Sequence, residues 1–502
     1  MLAFARSLSG IAIVATCLAR PVGAEPISAR DWNWASRLTW GPVPAGVAGD
    51  RPGPGRWLDR QLASDDASLP PAAADRVAAM RISRETMAQI VVEQDAQNHA
   101  ANALTDPDQR KAARSAYQKT MVGLADEARH RSILRDLYTP DQLREQMTWF
   151  WVNHFNVQAG KRDIRAMIAD YEQMLHDRAF GRFRDLLQAT LQHPAMLRYL
   201  DNDRNAVGHI NENYAREIME LHSMGVGAGY TQQDVQELAR ILTGVGIDLK
   251  PDPPRLKPEW RPLYVRAGLF VFNPARHDFG DKHFLGHVIK GSGFAEVEQA
   301  LDLIAAAPAT AHHVALRLAT AFVGDTPPPA LVDRMAATFR RTHGDMAQVM
   351  RTMIRAPEFA ATLGRSFKDP VHYALSAVRL AYGDRVIDDA MPIARWIDRM
   401  GEGLYDHPTP DGYGLAASAW SAPGQMATRF DIARQIGGGA AGLFQATGMG
   451  RDAPIVPALQ AMLQDKGIAA TLGGPTQASL AQAGSPKAWN MLFLSSPEFM
   501  RR

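Results

Sequence analysis

The feature that most restricts this chain is a recurring joint, an apolar helical run that ends against a proline. It stands at Leu191-Gln192-His193-Pro194, Ala305-Ala306-Ala307-Pro308, Ile354-Arg355-Ala356-Pro357 and Leu494-Ser495-Ser496-Pro497, and the last two continue as Pro-Glu-Phe. Proline disfavours helical geometry in the residue before it, and its fixed φ and missing N–H suit the first turn of a new helix. Each joint therefore reads as helix, corner, helix. The intervals are irregular, which argues against a solenoid of fixed period. Between joints, apolar residues recur at three- and four-residue spacing. Leu143, Met147, Phe150 and His154 share one face of a helix that starts at Thr139-Pro140-Asp141 and runs to about Val157. Tyr214, Ile218 and Leu221 form the buried stripe of another over 211–223, ended by Gly225 and Gly227, and Thr231 to Asp234 cap a third that runs through Leu242. The expected fold class is all-α or mainly α.

One stretch departs from this texture. Prolines crowd Pro251 to Pro258 and exclude helix there. Leu269 to Asn273 and Phe284 to Ile289 are short apolar runs, expected to pair as one small β-hairpin near 268–290 around Pro274 to Lys282. Residues 41–56 are rich in Pro and Gly, so 25–56 reads as an extended or loop lead-in. Residues 57–502 then form one large helical domain, with a soft division at 251–290.

The first twenty-four residues read as a signal peptide. Arg6 supplies the positive region, Leu8 to Ala19 an uncharged apolar stretch, and Val22-Gly23-Ala24 the small residues before cleavage ahead of Glu25. The expected location is periplasmic or secreted. The only cysteine, Cys17, lies inside this segment, so the mature chain has no thiol for a disulfide, a nucleophile or a Cys-ligated metal. Removing Arg6 and Arg20 takes the formal charge from +2 to zero, which offers no bulk attraction to nucleic acid or anionic lipid. No later segment is apolar for long enough to span a bilayer, and 46% hydrophobic residues suffice for a large core.

Several blocks carry a family resemblance. They are Trp151-Val152-Asn153-His154-Phe155, His193-Pro194-Ala195-Met196-Leu197 with Tyr199-Leu200-Asp201-Asn202, and Asn211 to Glu217 with Met219-Glu220-Leu221-His222. Gly229-Tyr230-Thr231-Gln232 with Asp234-Val235, His277-Asp278 with Gly280, Lys282 and Leu285-Gly286, Pro327-Pro328-Pro329 and Pro357-Glu358-Phe359 follow in order. Together they resemble the domain-of-unknown-function family 1800, over nearly the whole mature chain. The pattern departs at Thr243-Gly244-Val245, where the family usually has a tryptophan after the glycine. The resemblance implies an exported bacterial protein and, as partner, an exported sulfatase-like protein of the 1501 unknown-function family. It implies no established activity.

The most chemical segment is His277-Asp278-Phe279-Gly280-Asp281-Lys282-His283-Phe284-Leu285-Gly286-His287. Imidazole and carboxylate are the usual ligands in a protein without thiols, so His277, Asp278, His283 and His287 are candidate ligands for a divalent metal. If 283–287 is extended, His283 and His287 face one side. The alternative is structural: Asp278 caps the turn, Gly280 supplies an unusual φ and Lys282 forms an ion pair. On helix 211–223, Asn213, Glu217 and Glu220 form a polar stripe, and paired carboxylates suit a cation or divide acid and base roles. The alternative there is that Arg216 pairs with Glu220 on a solvated face. His154, beside Trp149, Phe150, Trp151 and Phe155, reads as a hydrogen-bonded core residue unless folding brings it to Glu217 or His277, and His312 and His313 read likewise. The catalytic candidates are thus His154, Glu217, Glu220, His277, Asp278 and Lys282. The run Ile436 to Gly442 lacks the lysine of a phosphate loop and reads as a loop. Neither Gly-x-Ser-x-Gly nor His-Glu-x-x-His occurs.

Two functions remain open. One is a metal- or acid/base-dependent enzyme, in which helix 211–223 meets the His277-Asp278 turn in one polar centre. The other is a non-catalytic helical binding or assembly partner of another exported protein, with the same residues as buried ties. Convergence in a cleft separates them.

Overall fold

The computed structural model describes residues 28–43, 52–63, 68–383, 385–444, 455–465 and 467–502. The signal segment expected at 1–24 lies outside them. The chain is mainly helical with small antiparallel sheets. Among the described residues no helix is long and apolar enough to cross a membrane.

The proline joints form as their local chemistry requires. His193, Ala307 and Ala356 each hold extended backbone between one helix and the next. His193 also caps the new helix, its Nδ1 accepting the Ala195 N–H at 3.1 Å. The fourth joint opens a turn instead, capped by Ser496, whose Oγ accepts the Phe499 N–H at 3.2 Å. The lead-in differs from the loop expected at 25–56, because Ala29–Leu38 is helical. Ser28 caps it, and Trp34 and Leu38, one turn apart, reach the core. Arg37 on this helix is buried and donates to the carbonyls of Phe322, Thr362 and Arg502 at 2.7 Å each, tying the start of the fold to its end.

Helix Gln142–His154 lies at the centre and is buried on nearly every face. A single hydrophobic cluster surrounds it and runs from Trp34 to Met500. The helix ends at His154 rather than Val157, and the next family helix spans Glu212–Glu220, shorter than 211–223. The chain leaves that helix through Gly225, whose φ is +91° and whose missing Cβ makes room for the His313 ring.

The β structure departs from the expected hairpin. Phe270–Phe272 (β3) is the centre of a three-stranded antiparallel sheet, between Val245–Ile247 (β1) and Val265–Ala267 (β2). Lys282–Phe284 (β4) and His287–Ile289 (β5) pair with each other. Leu285 and Gly286 both take positive φ, which suits a tight two-residue hairpin turn, so the segment closes on itself before it can reach β3. His283 and His287 are consequently on different strands.

Candidate functional site

The His277 segment forms a closed knot. His277, Lys282 and Glu296 have side chains with 0% exposure. His277 Nδ1 lies 2.8 Å from the Thr243 carbonyl, and Nε2 lies 2.9 Å from Glu296 Oε1. The same carboxylate oxygen accepts the N–H groups of Ser292 and Gly293, while Lys282 Nζ donates to Glu296 Oε2 and to the Asp278 carbonyl. Burial alone would raise the Glu296 carboxyl, but the bonds from His277 and Lys282 outweigh it and hold the group below its ordinary value. Asp278 accepts Gly280 N–H at 2.8 Å and pairs with Arg240 at the same distance, which lowers its pKa. Gly280 has no positive φ, contrary to the expected unusual backbone; a Cβ there would stand 2.8 Å from the Arg240 guanidinium, which would have to move aside. Gly244, in the Thr-Gly-Val departure from the family pattern, does take φ +81° and faces the Asn273 carbonyl. His283 and His287 are exposed, pointing away from the knot that buries His277. Among the described residues no group of three or more His, Cys, Asp or Glu is disposed to hold a metal ion.

The polar stripe of helix Glu212–Glu220 remains separate. Arg216 bridges Glu212 and Glu220 at 3.3 Å each, and burial together with the Glu220 charge raises Glu217. Helix Gln232–Ile241 contacts this helix and also β4. The charges acting on Glu217 come from Glu220, Arg216 and Asp411, whereas His277 is bonded to Thr243 and Glu296. Among the described residues no hydrogen bond or ion pair joins the two segments, and each spends its charges on different neighbours.

His154 joins a third group. Its Nε2–H donates to the His222 carbonyl at 3.1 Å, and its ring lies 6.3 Å from those of both His222 and His313. Burial, reinforced by the Arg317 charge, holds His154 well below its ordinary value and His222 down to about 3, so both are neutral.

The groups that do converge on a cleft were not nominated by motif. Helix Gln142–His154 presents Gln146, Trp149, Phe150 and Asn153, which share one face by their spacing. Opposite stand Asp369 and His372 at the start of helix Pro370–Tyr382, with Glu402, Trp420 and Arg502. Asp369 caps its helix, accepting the His372 N–H at 2.8 Å and His372 Nδ1–H at 2.6 Å. Arg502 donates to His372 Nε2 at 2.6 Å and to the Ala321 carbonyl at 2.9 Å. Accepting from a guanidinium requires a bare Nε2, so His372 is the neutral tautomer protonated at Nδ1. Burial and the Arg502 charge agree, pushing its pKa down to about 4. Burial opposes ionisation of Asp369, but His372 and Arg502 hold it well below the carboxylate range. Glu402 goes the other way. Burial and the Asp369 charge push it well above its ordinary value, and its one backbone bond, from Val371 N–H at 3.0 Å, is too little to compensate.

The family motif at 151–155 positions this cleft. Asn153 exchanges two hydrogen bonds with the Tyr413 backbone, at 2.6 and 3.0 Å, and Asn156 donates to the carbonyls of His407 and Thr409. The 407–413 loop is thereby laid on the central helix, and Gly414, Leu415 and Trp420 beyond it form a wall. Gly412 permits the approach, since a Cβ there would stand 2.1 Å from the Asn153 carbonyl. One signal for the site was present: Asp369-Pro370 followed by His372 is a helix start with an imidazole in its first turn. Glu402 and Arg502 carried none.

A family model covers residues 33–501, under the description protein of unknown function. The chain therefore belongs to the domain-of-unknown-function family 1800. Searches of the curated proteins and of the solved structures found no match.

Proposed function

We propose that this family member binds a small polar ligand in the Asp369–His372–Glu402–Arg502 cleft and acts on it by acid/base chemistry. One observation carries the reading: two buried carboxyls of opposite tendency line the same cleft, Glu402 driven toward its acid form by burial and the Asp369 charge, and Asp369 held toward its carboxylate by His372 and Arg502. Carboxyls held in opposite states by their surroundings are the usual basis for dividing acid and base roles. Glu402 is the proton donor in this scheme. Asp369 fixes the His372 tautomer, and His372 and the Ala321 carbonyl fix Arg502, so three of the four groups are held before any ligand arrives. His372 Nε2 is occupied by Arg502 and serves position, not proton abstraction. The cleft encloses about 460 Å³ counted to its open mouth, so it takes a small group.

Difference infrared spectroscopy of the mature protein at neutral pH tests the central claim. The Glu402→Gln variant should lose one protonated-carboxyl C=O band. If the two spectra superimpose in that region, Glu402 is ionised and the acid role fails. The export reading is a separate part of the proposal. It is supported by the signal-like first twenty-four residues and is overturned by an intact Met1 on folded protein in the cytoplasm.

A further inference from the structure

On the central helix every buried polar side chain but one has a hydrogen bond. Gln142 donates to the Asp136 and Thr139 carbonyls, Glu145 meets His176 at 3.2 Å, Thr148 donates to the Arg144 carbonyl, and Asn153 and His154 are bonded as described. Gln146 is the exception. It is 3% exposed and lines the cleft, and neither its Oε1 nor its Nε2 has a partner among the described residues. A buried carboxamide left unpaired is costly, so the position makes physical sense when a ligand completes it. Arg502 adds an unpartnered donor, Nε, in the same lining.

We infer that the cleft receives the edge of a neutral polyhydroxylated ring, a carbohydrate residue, an inference that rests on the acid/base reading of the same cleft. Charge selects a neutral ligand. Asp369 and Arg502 offset one another through His372, and burial beside Asp369 favours the acid form of Glu402, so a charged ligand would enter without a counter-ion. Hydrogen bonding selects hydroxyls. The Gln146 amide offers a donor and an acceptor side by side, and each hydroxyl both gives and accepts. The walls select a ring with an apolar face. Trp149, Phe150 and Trp420 line the cleft, and Trp420 commits its N–H to the Gly414 carbonyl at 2.9 Å, leaving the apolar ring as its contribution. The narrow interior admits one ring edge rather than a chain segment.

Saturation-transfer NMR on the mature protein, with methyl glycosides of glucose, galactose, mannose and xylose as probes and acetamide and sodium acetate as competitors, tests this. At least one glycoside should receive saturation through its ring protons. Gln146→Leu, which removes the amide without changing the cleft's charge, should weaken that binding about tenfold. Its melting temperature should hold or rise, because no internal hydrogen bond is lost. The idea is overturned if no glycoside receives saturation, if only acetamide or acetate does, or if Gln146→Leu leaves the signal unchanged. Should Gln146→Leu fail to fold, Trp420→Ala is the second probe, and an unchanged glycoside signal in it is equally fatal. A retained Glu402 infrared band without glycoside binding removes only the ligand class. Loss of that assignment with glycoside binding intact removes only the acid/base reading.

Discussion

Around Glu296 and around Glu402 this chain buries a carboxyl in two opposite ways. Glu296 receives bonds from an imidazole, an ammonium and two backbone N–H groups, in a knot with no side-chain exposure. Glu402 receives one backbone N–H and faces a neighbouring carboxylate at a cleft. Donors surrounding a carboxylate favour its charge, whereas burial beside like charge favours the acid. A dense cluster of chemical side chains is therefore not by itself a site. The His277 cluster has used up its hydrogen-bonding capacity internally, and the cleft has not.

The largest effect is expected at Glu296. Replacing it with alanine leaves Lys282 and His277 buried without their carboxylate, and denaturant unfolding should show a loss of about 3–5 kcal/mol. A loss below about 1 kcal/mol would mean that water reaches the knot and the two regions are alike.

Acid separates the regions next. His372 has a folded pKa of about 4 against an ordinary 6.5. A depressed histidine leaves stability complete above pH 6.5 and removes it as pH falls toward 4, because the unfolded chain takes up the proton first. Each unit of depression is worth about 1.4 kcal/mol. His222, buried and neutral, acts in the same direction. Glu296, a depressed carboxyl, withdraws stability only below its ordinary 4.5. Following each imidazole by NMR checks this: His372 should remain neutral to about pH 4, and titration near 6.5 would show that Arg502 does not hold Nε2.

The smallest effect belongs to helix Glu212–Glu220. Arg216→Ala removes two partly exposed pairs and should change stability by no more than about 0.5 kcal/mol. A change beyond about 2 kcal/mol would give that polar stripe a structural weight like the knot's.

Much of the local structure was readable in the residues. The proline joints, the Thr231–Asp234 cap and the Arg216–Glu220 pair depend on neighbours within four positions, and helix geometry dictates those contacts. Asp278 as a turn cap and Lys282 as an ion-pair member were also open to a local reading, although the partner of Lys282 was not. A hairpin does form inside 268–290, but its strands pair differently from expectation, because short apolar strands of similar composition carry no unique register and the positive-φ turn at Leu285–Gly286 decided it. The cleft at Asp369 and Glu402 escaped notice for a different reason. Motif density pointed to His277 and Glu217, but density does not report which groups find partners on folding.

The family, the predominance of helix and most helix starts are written in the residues themselves, because caps, prolines and three- and four-residue spacing act over one or two turns. Which polar groups share a cleft was settled by packing between distant segments. Gln146, Asp369, Glu402 and Arg502 come from separated parts of the chain and meet because the core draws their helices together. Their protonation follows from that meeting: burial sets the cost of each charge, and the neighbours that folding brings decide whether it is met.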